Sequence, residues 1–245
     1  MKLLSKQFNK LQYALLIFTA MACIHASSGL AKNENKARTV YPESDQDLTI
    51  KYYNRELTPE GVLRESNYEE KMLRRSGHVW TYRVLAPATL ASHNALAKHK
   101  HKGFNYIVLP RHVSFDGEKT TVAFVNSQDK QVIRIEPVEY ENINFDGSWI
   151  NTYYLVDPQA IAALPVSTRT SAIAHAHWHE QQKNGRFQRV LWDNKKAIPL
   201  IIESGNQNGS YFQRISITPN AILASDLPWL YQQGYVQKEY ADFLD

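Results

Sequence analysis

Cysteine is almost absent from this sequence of 245 residues, since Cys23 is the only one. A lone cysteine excludes an internal disulfide framework and a metal site built from several thiolates. Long apolar runs are also missing, because the most apolar stretch, residues 13–24, is shorter than the about 20 residues that cross a bilayer as a helix. The sequence therefore does not describe a protein with several membrane-spanning helices.

Positive charge is in small excess, since 28 Lys and Arg stand against 24 Asp and Glu and give a formal net charge of +4. Three of the basic residues, Lys2, Lys6 and Lys10, lie in residues 1–31, which contain no Asp or Glu. Without this segment, 25 basic residues remain against 24 acidic ones, a net charge of +1. Nucleic-acid binding requires a concentrated basic surface, so the sequence argues against a nucleic-acid partner.

Residues 1–31 have the pattern of a secretory signal peptide. The three lysines are followed by the apolar stretch 13–24 and then by small residues, and cleavage is expected after Ala26 or Ala31. We therefore predict an exported protein that is periplasmic in a bacterium. Two alternatives stay open: a retained membrane anchor, and a lipoprotein attached through Cys23, although the leucine usual three residues before a lipidated cysteine is missing.

The rest of the sequence is rich in short β-type segments that are separated by turns. Residues 32–48 are polar and lack periodicity, which predicts a flexible arm. Residues 49–225 alternate β-branched and aromatic segments with turn pairs such as Asp116-Gly117 and Asn184-Gly185, which predicts one β-rich domain. The predicted strands include 62–74, where a helix stays open, and 78–85, 106–113, 120–126, 131–140, 149–156, 186–192, 198–203 and 210–218.

Few helices interrupt these strands. We predict one over residues 88–102, a short one after Asp157-Pro158, and two short ones within residues 226–245. A sheet of about ten strands cannot stay flat without leaving its faces and edges unprotected. The predicted fold class is therefore mainly β (α+β): a curved antiparallel sheet or half-barrel of about ten strands with a few packed helices.

A Trp-Asp turn and a Pro-Leu strand start stand close together in residues 188–209. Trp192-Asp193 ends the segment QRVLWD, Pro199-Leu200 follows in the segment IPL, and Gly209 lies in the next hairpin. This arrangement resembles the strand-turn-strand module of LolA/RseB-like periplasmic half-barrels. The resemblance implies a curved sheet with helices on one side, enclosing an apolar groove for acyl chains or lipoprotein-like ligands. It implies no set of catalytic residues.

Histidine is concentrated at His175, His177 and His179. On a strand these residues share one face, with about 6.6 Å between neighbours. Two imidazoles at this spacing can converge on Zn²⁺ or Cu²⁺, so the segment predicts a metal site. On a helix, His175 and His179 pair instead and His177 faces away. A polar strand face that holds no metal is the alternative.

Motifs of catalysis are absent from the sequence, which has no GxSxG, P-loop, GxGxxG or HExxH pattern. A non-enzymatic role is therefore favoured. Aromatic residues fall on predicted strands, where they pack a core or line an apolar cavity. The predicted ligand-binding residues are Trp80, Tyr82, Trp149, Tyr153 and Trp192.

The sequence as a whole predicts an exported binding protein for a hydrophobic small molecule or lipid, or for a lipoprotein or other envelope protein. Such a protein is peripheral to a membrane at most. A periplasmic protein that binds Zn²⁺ or Cu²⁺ through the three histidines is the alternative, and a structural component of an envelope complex is a third hypothesis.

Overall fold

The computed structural model describes residues 43–86 and 105–243. The predicted signal peptide, most of the predicted arm and the predicted helix over 88–102 lie outside the described residues. The strands are β1 (Gln46–Leu57), β2 (Leu63–Arg75), β3 (His78–Val84), β4 (Arg111–Phe115), β5 (Thr120–Asn126), β6 (Gln131–Ile135), β7 (Ala176–Lys183), β8 (Arg186–Asp193), β9 (Ile198–Asn206), β10 (Tyr211–Pro219) and β11 (Val236–Glu239).

All of these strands belong to one sheet of 11 strands in the order β11-β6-β5-β4-β3-β2-β1-β10-β9-β8-β7. It consists of two antiparallel meanders, β1 to β6 and β7 to β10, which β1 and β10 join by antiparallel pairing. β11 adds to β6 in parallel. The sheet is curved and open, so the predicted fold class is confirmed. Among the described residues, no helix is long and apolar enough to cross a membrane.

The first hairpin shows why these residues form strands. Leu48, Ile50 and Tyr52 alternate along β1 and are buried, whereas Lys51 between them is exposed. Such an alternation gives a strand one face toward the core and one toward solvent. The hairpin ends in a turn where Gly61 has a φ of +79°, a conformation that glycine adopts without steric cost.

A helical crossover leads from β6 to β7 over the concave face of the sheet. It contains a 3₁₀ helix (Pro137–Ile143), α1 (Trp149–Tyr154) and α2 (Pro158–Ala162). The chain must pass over one face here, because β6 and β7 lie toward opposite edges of the sheet. The crossover residues that are buried in the main core are Ile143, Phe145, Trp149, Tyr153, Tyr154, Val156, Ile161 and Leu164.

The prediction of a strand over residues 149–156 is wrong, because α1 occupies this position. Ser148 caps the helix, with its Oγ accepting the backbone N–H of Asn151 at 3.1 Å. Trp149, Tyr153 and Tyr154 are buried together, at helical spacing. Their β propensity is real, but the cap and the packing of one helical face override it.

The predicted strand over 131–140 ends at Ile135, so its second half is wrong. The Pro137 ring supplies no N–H for the sheet ladder and fits the first turn of the 3₁₀ helix. The backbone N–H of Glu136 donates to Oε2 of Glu139 at 3.3 Å, which stabilises this helix start.

Two further boundaries differ from the predictions. The strand predicted over 106–113 begins only at Arg111, because the side chain of Asn105 accepts the N–H of Ile107 in a turn at 3.0 Å. Residues 226–243 contain β11 between two short 3₁₀ helices (Pro228–Tyr231 and Tyr240–Phe243), where the sequence predicts helices alone. The parallel pairing with β6 is a long-range contact that local propensity does not indicate.

Arg74, near the end of β2, has an exposed fraction of 0% and connects three segments of the chain. Its Nη1 donates to the carbonyl oxygen of Tyr153 at 3.0 Å, and its Nε donates to that of Ser44 at 3.2 Å. Its Cζ lies 4.5 Å from the ring centre of Tyr153. The contact with Ser44 holds the chain just before β1. β1 itself begins at Gln46, ahead of the predicted domain start at residue 49.

Arg75 extends to the opposite, convex face of the sheet. Its Nη1 donates to Oδ1 of the buried Asp47 at 2.6 Å, and its Nη2 donates to the carbonyl oxygen of Ala224 at 3.0 Å. The segment after β10 is thereby held over a second apolar cluster. This convex cluster consists of Leu73, Trp80, Val125 and Val132, with Ala123, Ala224, Trp229 and Tyr235 packed against it.

We expect Arg74→Ala to lower the free energy of unfolding by about 3 kcal/mol or more, because it leaves buried carbonyl groups without donors and opens a cavity. Denaturant unfolding of the purified protein measures this loss. Arg186→Ala, at an exposed strand end, is the matched control and should change stability by less than about 0.5 kcal/mol. Equal small effects of both substitutions would contradict the role assigned to Arg74.

Candidate functional site

A pocket of about 140 Å³ lies on the concave face, between β1 to β5 and the helical crossover. We call it the concave pocket. Its apolar wall is formed by Ile50, Met72, Val79, Tyr106, Ile107, Leu109, Phe124, Ile143, Phe145 and Leu155. Its polar side chains are Tyr52, Tyr68, Glu70, Thr81, Tyr82, Arg83, Arg111, Asn144, Asp146, Asn151 and Thr152. Tyr82 and Asp146 are exposed, so the pocket meets solvent beside them.

The register of the sheet brings the polar residues of the pocket together. Tyr52 of β1 lies directly opposite Tyr68 of β2, and Arg83 of β3 lies opposite Glu70 of β2. Directly opposed residues share a face of the sheet, so their side chains meet. Arg111 of β4 continues the same face, since it pairs with Thr81 of β3 and with Phe124 of β5.

Aromatic and charged groups are stacked at this point. The rings of Tyr52 and Tyr68 are 4.3 Å apart at an interplanar angle of 15°. The guanidinium group of Arg83 lies over the ring of Tyr68, with Cζ 3.9 Å from the ring centre. At this distance the face of the aromatic ring attracts the cation. Nη2 of Arg83 is 3.8 Å from Oε1 of Glu70.

Burial raises the pKa of Tyr52 well above its ordinary value, and the neighbouring Glu70 raises it further. Burial and Glu70 raise the pKa of Tyr68 in the same way. Both phenols therefore keep their protons near neutral pH and can donate hydrogen bonds. The concave pocket thus combines an apolar wall with hydroxyl donors, two guanidinium groups and two carboxylates, the composition of a ligand pocket.

Of the predicted ligand-binding residues, Tyr82 alone lines the concave pocket. Trp80 belongs to the convex cluster, on the face of β3 opposite to Thr81 and Arg83. Trp149 and Tyr153 serve packing: Nε1 of Trp149 donates to Glu43 at 3.0 Å, and the hydroxyl of Tyr153 donates to the carbonyl oxygen of Ser44 at 3.1 Å. Trp192 is buried in the main core.

Sequence reasoning missed the charged and phenolic residues of the pocket. Tyr68 and Glu70 share a face of β2, and Thr81 and Arg83 share a face of β3, so the alternation within each strand contains a signal. The two-residue turn Ser76-Gly77 also fixes the register of these two strands, but nothing in the strands indicates that the helical crossover covers this face. The charged positions therefore looked like ordinary solvent-facing residues.

The structure does not bring the three predicted metal ligands together. His175 is exposed and precedes β7, and His177 is exposed within β7. His179 is buried, with Nδ1 3.2 Å from the carbonyl oxygen of Leu164, because the chain at Val166 bridges to the strand there. Among the described residues, no group of three His, Cys, Asp or Glu side chains is placed to hold a metal ion.

Two other histidines meet on the convex face, which the sequence did not single out. Nδ1 of His78 is 3.1 Å from Nε2 of His112, and the ring of Trp229 stacks on both at centroid distances of 5.2 and 5.6 Å. Burial, and then the neighbouring His78, lowers the pKa of His112 to about 4. Burial also lowers the pKa of His78.

No protein-family model matches the sequence, and no curated protein matches it. Similar solved structures include PNGF-II, at 13% identity over 81% of this chain and 33% of that one, with a TM-score of 0.37. The Pseudomonas aeruginosa MucA/MucB complex follows at 13% identity, over 75% of this chain and 55% of that one, with a TM-score of 0.34. A putative outer membrane lipoprotein-sorting protein domain from Vibrio parahaemolyticus has 10% identity over 74% of this chain and 88% of that one, with a TM-score of 0.28.

The chain spans about a third of the length of the first of these structures and about half of the second. At these identities and TM-scores the likeness concerns the fold alone.

We expect stability to fall as the pH drops from about 6.5 to about 4. An unfolded imidazole takes up its proton near pH 6.5, whereas His112 in the folded protein does so near pH 4, so the unfolded state binds more protons between these values. The contribution of neutral His112 to the free energy of unfolding is therefore complete above pH 6.5 and is lost as the pH falls toward 4.

Denaturant unfolding of wild type and His112→Phe at pH 7 and pH 4.5 tests this expectation. The loss of unfolding free energy on acidification should be about 1–2 kcal/mol smaller in His112→Phe. His175→Phe, at an exposed histidine, is the matched control and should behave like wild type. If the two variants lose equal stability, His112 is not the group that titrates.

Proposed function

We propose that the protein is an exported, non-enzymatic binding protein that holds the apolar part of a ligand in the concave pocket. The observation that supports this most directly is the pocket itself, a space between sheet and crossover that their side chains leave unfilled. Protein interiors are ordinarily close-packed, so a gap with an apolar wall and a few convergent polar groups is the usual form of a ligand site.

The size of the pocket limits what it can enclose. A volume of about 140 Å³ accommodates a ring or a short run of methylene groups, comparable to apolar cavities that hold benzene. The rest of a larger ligand, such as a lipid, would extend past the exposed Tyr82 and Asp146 into solvent. The metal-binding alternative has no comparable support, since no group of three His, Cys, Asp or Glu side chains among the described residues is placed to hold an ion.

Filling the pocket tests this proposal. Thr81 is half-buried and lines the pocket, so Thr81→Phe places a ring in the ligand's space. Titration of the purified protein with the neutral fluorescent probe N-phenyl-1-naphthylamine should show binding to wild type. Thr81→Phe should weaken it about tenfold or more, as expected for an overpacked site.

Thr121→Phe provides the matched control for this substitution. Thr121 is exposed on β5, where its hydroxyl is 2.7 Å from that of Ser114, and the residue lies outside the concave pocket. Probe binding to this variant should equal binding to wild type. Absence of probe binding to wild type, or equal loss in both variants, would contradict the proposed function.

Export rests on the sequence of residues 1–31 and has its own test. Expression of the full chain in a bacterium should give a periplasmic protein whose mass corresponds to cleavage after Ala26 or Ala31. Leu16→Lys, which places a charge in the apolar stretch, should leave the protein uncleaved inside the cell. An acylated N-terminus at Cys23 would favour the lipoprotein alternative, and uncleaved wild type in the cytoplasm would contradict export.

A further inference from the structure

Arg111 differs from the other charged residues of the concave pocket. It is half-buried on β4 and lines the pocket, and its Nε, like that of Arg83, is buried with no hydrogen-bond partner among the described residues. No acidic side chain in the described part of the chain lies within ion-pair distance of its guanidinium group. A buried polar group without a partner costs free energy, and for a charged group that cost is larger.

The acidic side chains of the pocket are engaged elsewhere. Glu70 faces Arg83, with Oε1 3.8 Å from Nη2. At the pocket mouth, the carboxylate of Asp146 accepts the backbone N–H of Ser148 at 2.9 Å and the side-chain amide of Asn151 at 2.5 Å. Because Glu70 pairs with Arg83 and Asp146 accepts hydrogen bonds from Ser148 and Asn151, neither carboxylate of the pocket lining pairs with Arg111.

The surroundings of Arg111 suit an anion with an apolar body. Its neighbour across the strands is Phe124, which belongs to the apolar wall. The phenols of Tyr52 and Tyr68 lie close enough that the charge of Arg111 lowers the pKa of each, against the larger effect of burial. A guanidinium group binds a carboxylate or phosphate through two parallel hydrogen bonds, which an ammonium group cannot reproduce.

We infer that the ligand of the concave pocket carries a single anionic group, a carboxylate or a phosphate, which pairs with Arg111 while its apolar part lies against Phe124 and Met72. This inference rests on the proposed function and adds the chemical class of the ligand. Arg111 is its specificity-determining residue. The Arg83 guanidinium is held on Tyr68 beside Glu70 and contributes the rim of the same site.

Three ligands that share an alkyl chain and differ in head group test which group the pocket prefers: decanoate, decyl phosphate and decanol. Their affinities are measured at pH 8 by displacement of N-phenyl-1-naphthylamine from wild type, Arg111→Gln and Arg111→Lys. We expect wild type to bind at least one of the two anions about tenfold or more tighter than decanol. Arg111→Gln should abolish this preference and leave the affinity for decanol within about twofold, while Arg111→Lys should keep part of it.

Arg134→Gln is the matched control, because Arg134 is exposed on β6 and does not line the concave pocket. This variant should keep the wild-type preference. Thermal unfolding of each variant shows whether it is folded under the conditions of the titration.

Each outcome supports or overturns the inference. A preference for decanoate alone or decyl phosphate alone supports it and identifies the group. If wild type binds decanol as tightly as both anions, or if Arg111→Gln weakens decanol as much as the anions, the inference fails while the proposed function stands. If wild type binds neither the neutral probe nor any of the three ligands, the proposed function fails and the inference fails with it.

Discussion

The side chain of Arg74 joins parts of the chain that are far apart in sequence. Its donors reach the carbonyl oxygens of Ser44, Tyr153 and Lys196, and its exposed fraction is 0%. Burial lowers its pKa, and the ring of Tyr153 against its guanidinium group offsets part of that cost. A charge in this position is tolerated only with its acceptors in place, so it specifies how the crossover lies on the sheet.

The position of this anchor explains why a pocket exists beside it. The crossover is fixed to the end of β2 at Arg74, while Glu70 and Tyr68 lie about 13–20 Å further along the strand at the usual rise per residue. The helices α1 and α2 are short, so much of the crossover over the sheet is irregular chain. On the other face, Arg75 and Asp47 hold the segment after β10 onto the convex cluster.

Much of the sheet could be predicted from alternation and turn residues, which act locally. The predicted bounds of β2, β3, β5 and β8 agree with the structure to within a residue or so. The misassigned elements have different causes: α1 has a strand-like composition but a capping serine just before it, and β11 pairs with a strand about 100 residues earlier. The candidate site was missed because it depends on which face of the sheet the helical crossover covers, although the turn Ser76-Gly77 by itself places Glu70 of β2 opposite Arg83 of β3.

The contrast between Arg74 and Arg111 separates stabilisation from recognition within one sheet. Both are arginines on the concave side, yet Arg74 has backbone acceptors for its donors, whereas the Nε of Arg111 has no acceptor among the described residues. An apolar side chain at position 111 would pack beside Phe124 at no electrostatic cost, so stability alone does not favour an arginine there. A guanidinium group whose Nε has no acceptor among the described residues is instead available for the selective binding of an anion.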